Sequence, residues 1–157
     1  MSIKFNYTDL YKKADILSSR FEVSKPFQHI VINKLFSKNV YRAIEKSFPN
    51  PNSKIWKKPN NIHTMQKMVT KRGKNDIKEM LYSEDARNVL REFNSASFLY
   101  FLEKITGING LICDPYFAEA GFHCSTNGGY LDIHADFSHH DKLGLERRLN
   151  LIFFLSF

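Results

Sequence analysis

Gly128-Gly129-Tyr130-Leu131-Asp132-Ile133-His134-Ala135-Asp136-Phe137 is the stretch on which the reading of this chain turns. The two glycines predict a tight turn that delivers the following residues straight into a strand. In an extended strand, residues i and i+2 project from the same face. The imidazole of His134 and the carboxylate of Asp136 are therefore expected side by side, with Asp132 on the same face. One neutral nitrogen donor beside one anionic oxygen donor is two-thirds of the facial triad, two histidines and a carboxylate, that holds non-haem Fe(II). His-x-Asp alone recurs by chance, so its surroundings decide its weight.

Downstream lies a polar loop, Ser138 to Glu146, and then Arg147-Arg148-Leu149-Asn150 leads into an apolar run. From Leu111 onward the pattern is one of short β-type runs separated by Gly, Asn, Asp and Ser: Leu111–Cys113, Tyr116–Cys124, Tyr130–Phe137 and Leu149–Phe157. Upstream the signals are helical. Thr8 can cap a helix whose apolar stripe is Leu10, Tyr11, Ala14 and Leu17. Lys25-Pro26 marks a break, and the β-branched run Phe27 to Leu35 reads as a strand. Ser37 can cap a second helix carrying Val40, Tyr41, Ile44 and Phe48, closed by Pro49 and Pro51. After a Pro- and Asn-rich loop, a short helix is expected over 77–82, then helices over 85–93 and 97–105 with Gly107 as the stop. Helices first and strands later predict an α+β architecture in one domain, residues 1–110 mainly helical support and 111–157 the strands.

Composition sets the outer bounds. The chain has 157 residues, 43% of them hydrophobic, with 14 Phe and 7 Tyr, enough apolar material for a buried core and too much for a disordered chain. Two cysteines, Cys113 and Cys124, supply neither a disulfide framework nor a zinc site by themselves. The first residues show neither an Arg-rich transit pattern nor an apolar h-region, and Leu151 to Phe157 falls far short of the ~20 residues that span a bilayer. A soluble cytoplasmic protein with reduced thiols is the expectation, and no membrane partner. The formal net charge of +7 matches the run from Lys54 to Lys78, where eight basic residues face Asp76 alone. That run is either a solvated lysine-rich face or a surface for nucleic acid or an acidic substrate, and no nucleic-acid-binding motif accompanies it.

Two segments taken together carry a family resemblance. Gly129-x-Leu131-x-x-His134-x-Asp136-Phe137 followed by Leu143-Gly144-Leu145-x-Arg147-Arg148-Leu149-Asn150-Leu151 resembles the 2-oxoglutarate and Fe(II)-dependent oxygenases, in particular their prolyl 4-hydroxylase-like branch. Phe98-Leu99-x-Phe101-Leu102-Glu103-x-Ile105-Thr106-Gly107-Ile108 with Leu111-Ile112-x-Asp114-Pro115 is similar to the same branch. The resemblance runs from about Phe93 to the C-terminus. It implies a double-stranded β-helix (jelly roll) with helices packed on it, His134 and Asp136 as metal ligands, and Asn150 as a small polar residue beside 2-oxoglutarate. The implied activity is a dioxygenase that spends O2 and 2-oxoglutarate to hydroxylate an unidentified small molecule or protein.

Two departures accompany the resemblance. Phe154 stands where many members carry a tyrosine whose hydroxyl reaches 2-oxoglutarate, and a phenyl ring donates no hydrogen bond. The resemblance also implies a distal histidine and an Arg or Lys for 2-oxoglutarate on strands beyond Phe157, so the chain is expected to be C-terminally truncated, with a terminal strand open to self-association. Among residues present, His139 and His140 are either exposed loop residues or stand-in ligands. His123 is either a pocket-lining or hydrogen-bonded strand residue or a ligand, and Cys124 is a small buried residue or an adventitious soft ligand. The alternative to an oxygenase is a catalytically inactive truncated jelly roll with a basic binding surface.

Overall fold

In a computed structural model of the protein, residues 4–56, 67–70, 82–115, 121–125, 128–141 and 143–155 are described, the backbone alone for 67–70. The elements run α1 (Tyr7–Glu22), α2 (Lys38–Ser47), β1 (Lys67–Thr70), α3 (Glu84–Phe93), α4 (Ala96–Thr106), β2 (Gly121–Cys124), β3 (His139–His140) and β4 (Leu145–Glu146). The class is α+β. The chain divides into two compact units, one of residues 1–47 and 84–113, the other of 48–83 and 114–157. No helix among the described residues is long and apolar enough to cross a membrane.

The first unit is helical because its apolar residues repeat at helical spacing and its ends carry caps. Leu10, Ala14, Leu17 and Phe21 are the buried stripe of α1. The cap is Asn6 rather than Thr8: its side-chain oxygen accepts the Asp9 N–H at 3.3 Å, so the helix starts earlier than the hydroxyl suggests. Ser37 does cap α2, taking the Val40 N–H at 3.4 Å. Ser95 caps α4 through the Phe98 N–H, and Gly107, at φ 70°, ends it by returning its N–H to the Glu103 carbonyl. A residue with a Cβ is strained at that angle, which is why glycine stands there.

α1 packs on α4 and α2 on α3. Phe98 and Phe101 of α4 are fully buried, each such ring contributing ~1.5–3 kcal/mol of burial. Around Phe98 the rings of Phe93 and Phe5 stand edge-on at 5.1 and 5.7 Å, and Phe36 stacks on Phe5 at 4.1 Å. Tyr7 ties this core to the α3–α4 elbow: its hydroxyl donates to Glu92 at 2.6 Å and meets the Ser95 hydroxyl at 2.9 Å. Burial first, then the bond to the Glu92 carboxylate, pushes the Tyr7 hydroxyl well above its ordinary value.

Two expected strands of this unit are absent. Phe27 to Leu35 forms no strand, although Ile30 and Ile32 are half-buried between exposed neighbours. The Ser24 hydroxyl donates to the Phe21 carbonyl at 2.7 Å and takes the His29 N–H at 2.8 Å, while Lys34 sits at φ 55°. Local side-chain bonds at one end and a left-handed residue at the other displace the ladder that β-branched composition favours. At Leu111–Cys113 the Leu111 N–H goes to the Glu103 carboxylate at 2.8 Å, so a ladder donor is already spent.

In the second unit β1 and β2 pair antiparallel, Lys67 opposite Cys124 and Thr70 opposite Gly121. Phe122 points inward and meets the rings of Phe48 at 5.4 Å and Tyr82 at 5.3 Å, while His123 faces out. β2 realises the end of the expected strand 116–124, and residues 116–120 lie outside the described residues, as do 77–81 of the expected short helix. Tyr130–Phe137 and Leu149 to 155 are not strands, apart from a single bridging residue, Leu131. A strand exists through its partner, and among the described residues neither segment has a ladder; Ile133 and Phe154 are accordingly exposed. The pairing falls instead inside the expected loop. His139 pairs with Glu146 and His140 with Leu145, across a turn in which the Leu143 and Gly144 N–H groups both reach the His140 carbonyl. Gly144, at φ 62°, supplies the left-handed residue such a turn needs.

Candidate metal centre

His134 and Asp136 come together as their spacing predicts, although the backbone there is not a regular strand. His134 Nε2 lies 3.5 Å from Asp136 Oδ1, with both side chains roughly half exposed. His134 Nδ1 stands 2.7 Å from the Asp132 carbonyl, which can only accept. Nδ1 therefore carries the proton, and in the neutral ring Nε2 presents its lone pair toward Asp136. Asp132 thus serves the pair through its backbone.

The two donors fit one divalent cation. Ligand atoms ~2.1 Å from a shared ion lie ~3.0 Å apart at a right angle and ~3.4 Å apart at a tetrahedral one. The observed 3.5 Å needs only a small closure, and a backbone carbonyl on the far imidazole nitrogen is the usual outer partner of a metal-bound histidine. Among the described residues no third His, Cys, Asp or Glu joins the pair into a larger metal-holding group.

The remaining contacts belong to Asp136. Its Oδ2 forms an ion pair with Arg147 NH2 at 3.2 Å and accepts a hydrogen bond from Asn150 Nδ2 at 3.2 Å. Arg147 NH2 also donates to Asn150 Oδ1 at 3.1 Å, and its guanidinium lies over the Phe137 ring at 4.8 Å. Asn150 therefore contacts the carboxylate of the pair, a placement that the resemblance to a co-substrate contact did not anticipate. Arg147 is visible in the sequence only as one of two adjacent arginines. The β3–β4 hairpin singles it out, because the Arg147 N–H closes on the Ser138 carbonyl at 2.8 Å, two residues from Asp136.

The other histidines go elsewhere. His139 is exposed on β3. His140 is not the exposed loop residue that its polar setting suggests: its side chain is 11% exposed, and Nε2 stands 3.3 Å from Asp114 Oδ1. Its Nδ1 accepts the Leu143 N–H at 3.3 Å, so Nε2 carries the proton and faces the carboxylate. That pair ties the hairpin to the segment before β2 and adds nothing to His134. Cys113 and Cys124 are half-buried and unbridged. Of the basic residues between 54 and 78, Lys54 is exposed and Lys67 lies in β1, described as backbone; the others lie outside the described residues.

No protein-family model matches the chain, and neither a curated protein nor a solved structure matches it.

Proposed function

We propose that the chain is an Fe(II)- and 2-oxoglutarate-dependent dioxygenase of the hydroxylase type, the described elements belonging to a double-stranded β-helix. The observation that carries the reading is the His134–Asp136 pair, its donors 3.5 Å apart with His134 Nδ1 turned to the Asp132 carbonyl and Nε2 turned to Asp136. The flanking pattern from Gly129 to Leu151 supports iron and 2-oxoglutarate over other divalent chemistry.

In this reading His134 and Asp136 hold the cation. Bound there, iron supplies the coupling of 2-oxoglutarate decarboxylation, giving succinate and CO2, to insertion of one O2 oxygen into a substrate C–H bond. The chain's own share is geometric. Asp132 fixes the ring of His134, and Asp136 supplies the negative charge that offsets the cation. The half-exposed setting of the pair leaves room for ligands and substrate to approach.

The test is succinate release from 2-oxoglutarate with Fe(II) and O2, comparing the chain with His134→Ala. Release that falls at least tenfold in the variant is the expected result, the scale on which loss of one ligand or its outer support acts. Equal release by the two proteins overturns the assignment.

A further inference from the structure

Arg147 and Asn150 converge on a single oxygen of Asp136, and we propose that the two are positioning residues that clamp this carboxylate so that it offers one oxygen, Oδ1, beside His134. The proposal rests on the metal reading above and deepens it. A carboxylate can hold a cation with one oxygen or with both, and rotation about its last bond exchanges the two. Here Oδ2 already holds two partners at 3.2 Å each, the Arg147 guanidinium in an ion pair and the Asn150 amide in a hydrogen bond, while Oδ1 faces His134 Nε2 at 3.5 Å.

The clamp is a closed triangle. A guanidinium only donates and a carboxylate only accepts, so the residue joining them must accept on one side and donate on the other. Asn150 does both, taking Arg147 NH2 on Oδ1 at 3.1 Å and giving Nδ2 to Asp136. This arrangement also fixes which end of the amide is oxygen. Aspartate at this position would lose the donor, and leucine would lose both. Arg147 is in turn held at its backbone by the Ser138 carbonyl and at its guanidinium by the Phe137 ring. Phe137, Ser138 and Arg147 at the hairpin ends, with Asn150 three residues further on, thus fix one carboxylate. That is more support than an exposed surface ion pair needs, since such a pair contributes ~0–1 kcal/mol by itself.

The clamp assigns Asn150 a different task from contact with 2-oxoglutarate, and the two tasks separate experimentally. Co(II) binding is titrated in the absence of 2-oxoglutarate, following the visible absorption of the bound ion. Arg147→Ala and Asn150→Leu are each expected to weaken Co(II) binding ~10–100-fold, the range seen when a residue supporting a metal ligand is lost. The double variant should be no weaker than the weaker single one, because both act on one oxygen. The Co(II) spectrum should change in each, since a released carboxylate can close on the ion with both oxygens. Arg147→Lys, which keeps a cationic donor, should restore most of the affinity. Arg148→Ala serves as the control for general damage: among the described residues Arg148 is paired with Glu146 alone, at 3.7 Å, and its loss should leave Co(II) binding within ~2-fold. Unchanged Co(II) affinity and spectrum in Arg147→Ala and Asn150→Leu overturn the clamp while leaving the metal reading intact. If in addition the KM for 2-oxoglutarate rises in Asn150→Leu, the co-substrate contact is the correct assignment. Equal Co(II) binding by the chain and His134→Ala overturns the metal reading itself, and the clamp with it.

Discussion

Replacing Tyr7 by Phe removes one oxygen and leaves the ring, so it isolates what the hydroxyl does at the α3–α4 elbow. That hydroxyl donates to Glu92 at 2.6 Å and meets Ser95 at 2.9 Å, and the three side chains sit half-buried in the helical unit. A hydrogen bond to a carboxylate contributes ~1.5–3 kcal/mol where water cannot replace it, and partial exposure places this one toward the lower half. The expected loss is therefore about 2 kcal/mol, or ~30-fold in the ratio of folded to unfolded chains. In urea the midpoint should fall by ~1–2 M if the slope is that of a small domain. Pairing the change with Glu92→Ala completes a double-mutant cycle, in which a coupling of ~1 kcal/mol or more is expected. The pH dependence has a definite sign. The Tyr7 hydroxyl is raised by burial and by Glu92, so the folded state favours its neutral form. Its contribution is complete below the unfolded tyrosine value of ~10 and is lost as pH rises from there toward the folded value. The advantage of the native chain over Tyr7→Phe should thus be flat through neutral pH and shrink in alkali. Additivity within ~0.5 kcal/mol in the cycle, or an advantage that grows above pH ~10, would refute the reasoning.

Phe98→Ala empties the centre of the ring cluster made with Phe93, Phe5 and Phe101, and should lower the stability of the helical unit by ~3–5 kcal/mol in denaturant titration; a loss under ~1.5 kcal/mol means the cluster collapses into the gap. His140→Ala removes the ring that bridges Asp114 and the Leu143 N–H. Hydrogen exchange at the Arg147 amide, which closes the hairpin on Ser138, should then quicken ~10–100-fold, equivalent to ~1.4–2.8 kcal/mol, and an unchanged rate removes His140 as the hairpin's latch.

The four helices were legible because their information is local. The stripes of α1 and α2, the Ser37 cap and the Gly107 stop can all be read within a few residues of where they act. The one local error, Thr8 for Asn6, arose between two side chains that both cap well. The strands were less legible, because β-branched composition signals a propensity and not a partner. Phe27 to Leu35 has the composition without the ladder, whereas His139-His140 and Leu145-Glu146 have the ladder without the composition. The α+β class survived these errors, since it depends on the order of element types and not on their exact ends.

The candidate site divides in the same way. His134 and Asp136 are two residues apart, and a nearly extended backbone of any kind brings such a pair to one side, so their meeting was readable from spacing alone. Asp132 reaches the pair through its carbonyl, a contact that its place on the same face does not announce. Nothing in the sequence tells Arg147 from Arg148, or gives Asn150 a carboxylate to hold. A hairpin between Ser138 and Arg147 decides both, by turning the chain back so that a residue distant in sequence arrives at Asp136 Oδ2. His140 is likewise a polar loop residue until the fold sets Asp114 3.3 Å from its ring. By itself the sequence determined the four helices, the Ser37 cap, the Gly107 stop and the two adjacent donors, because periodicity and short spacing act along the chain. Only the tertiary structure decided which segments pair and what surrounds the donors, because those contacts close across many residues and exist only once the backbone has turned.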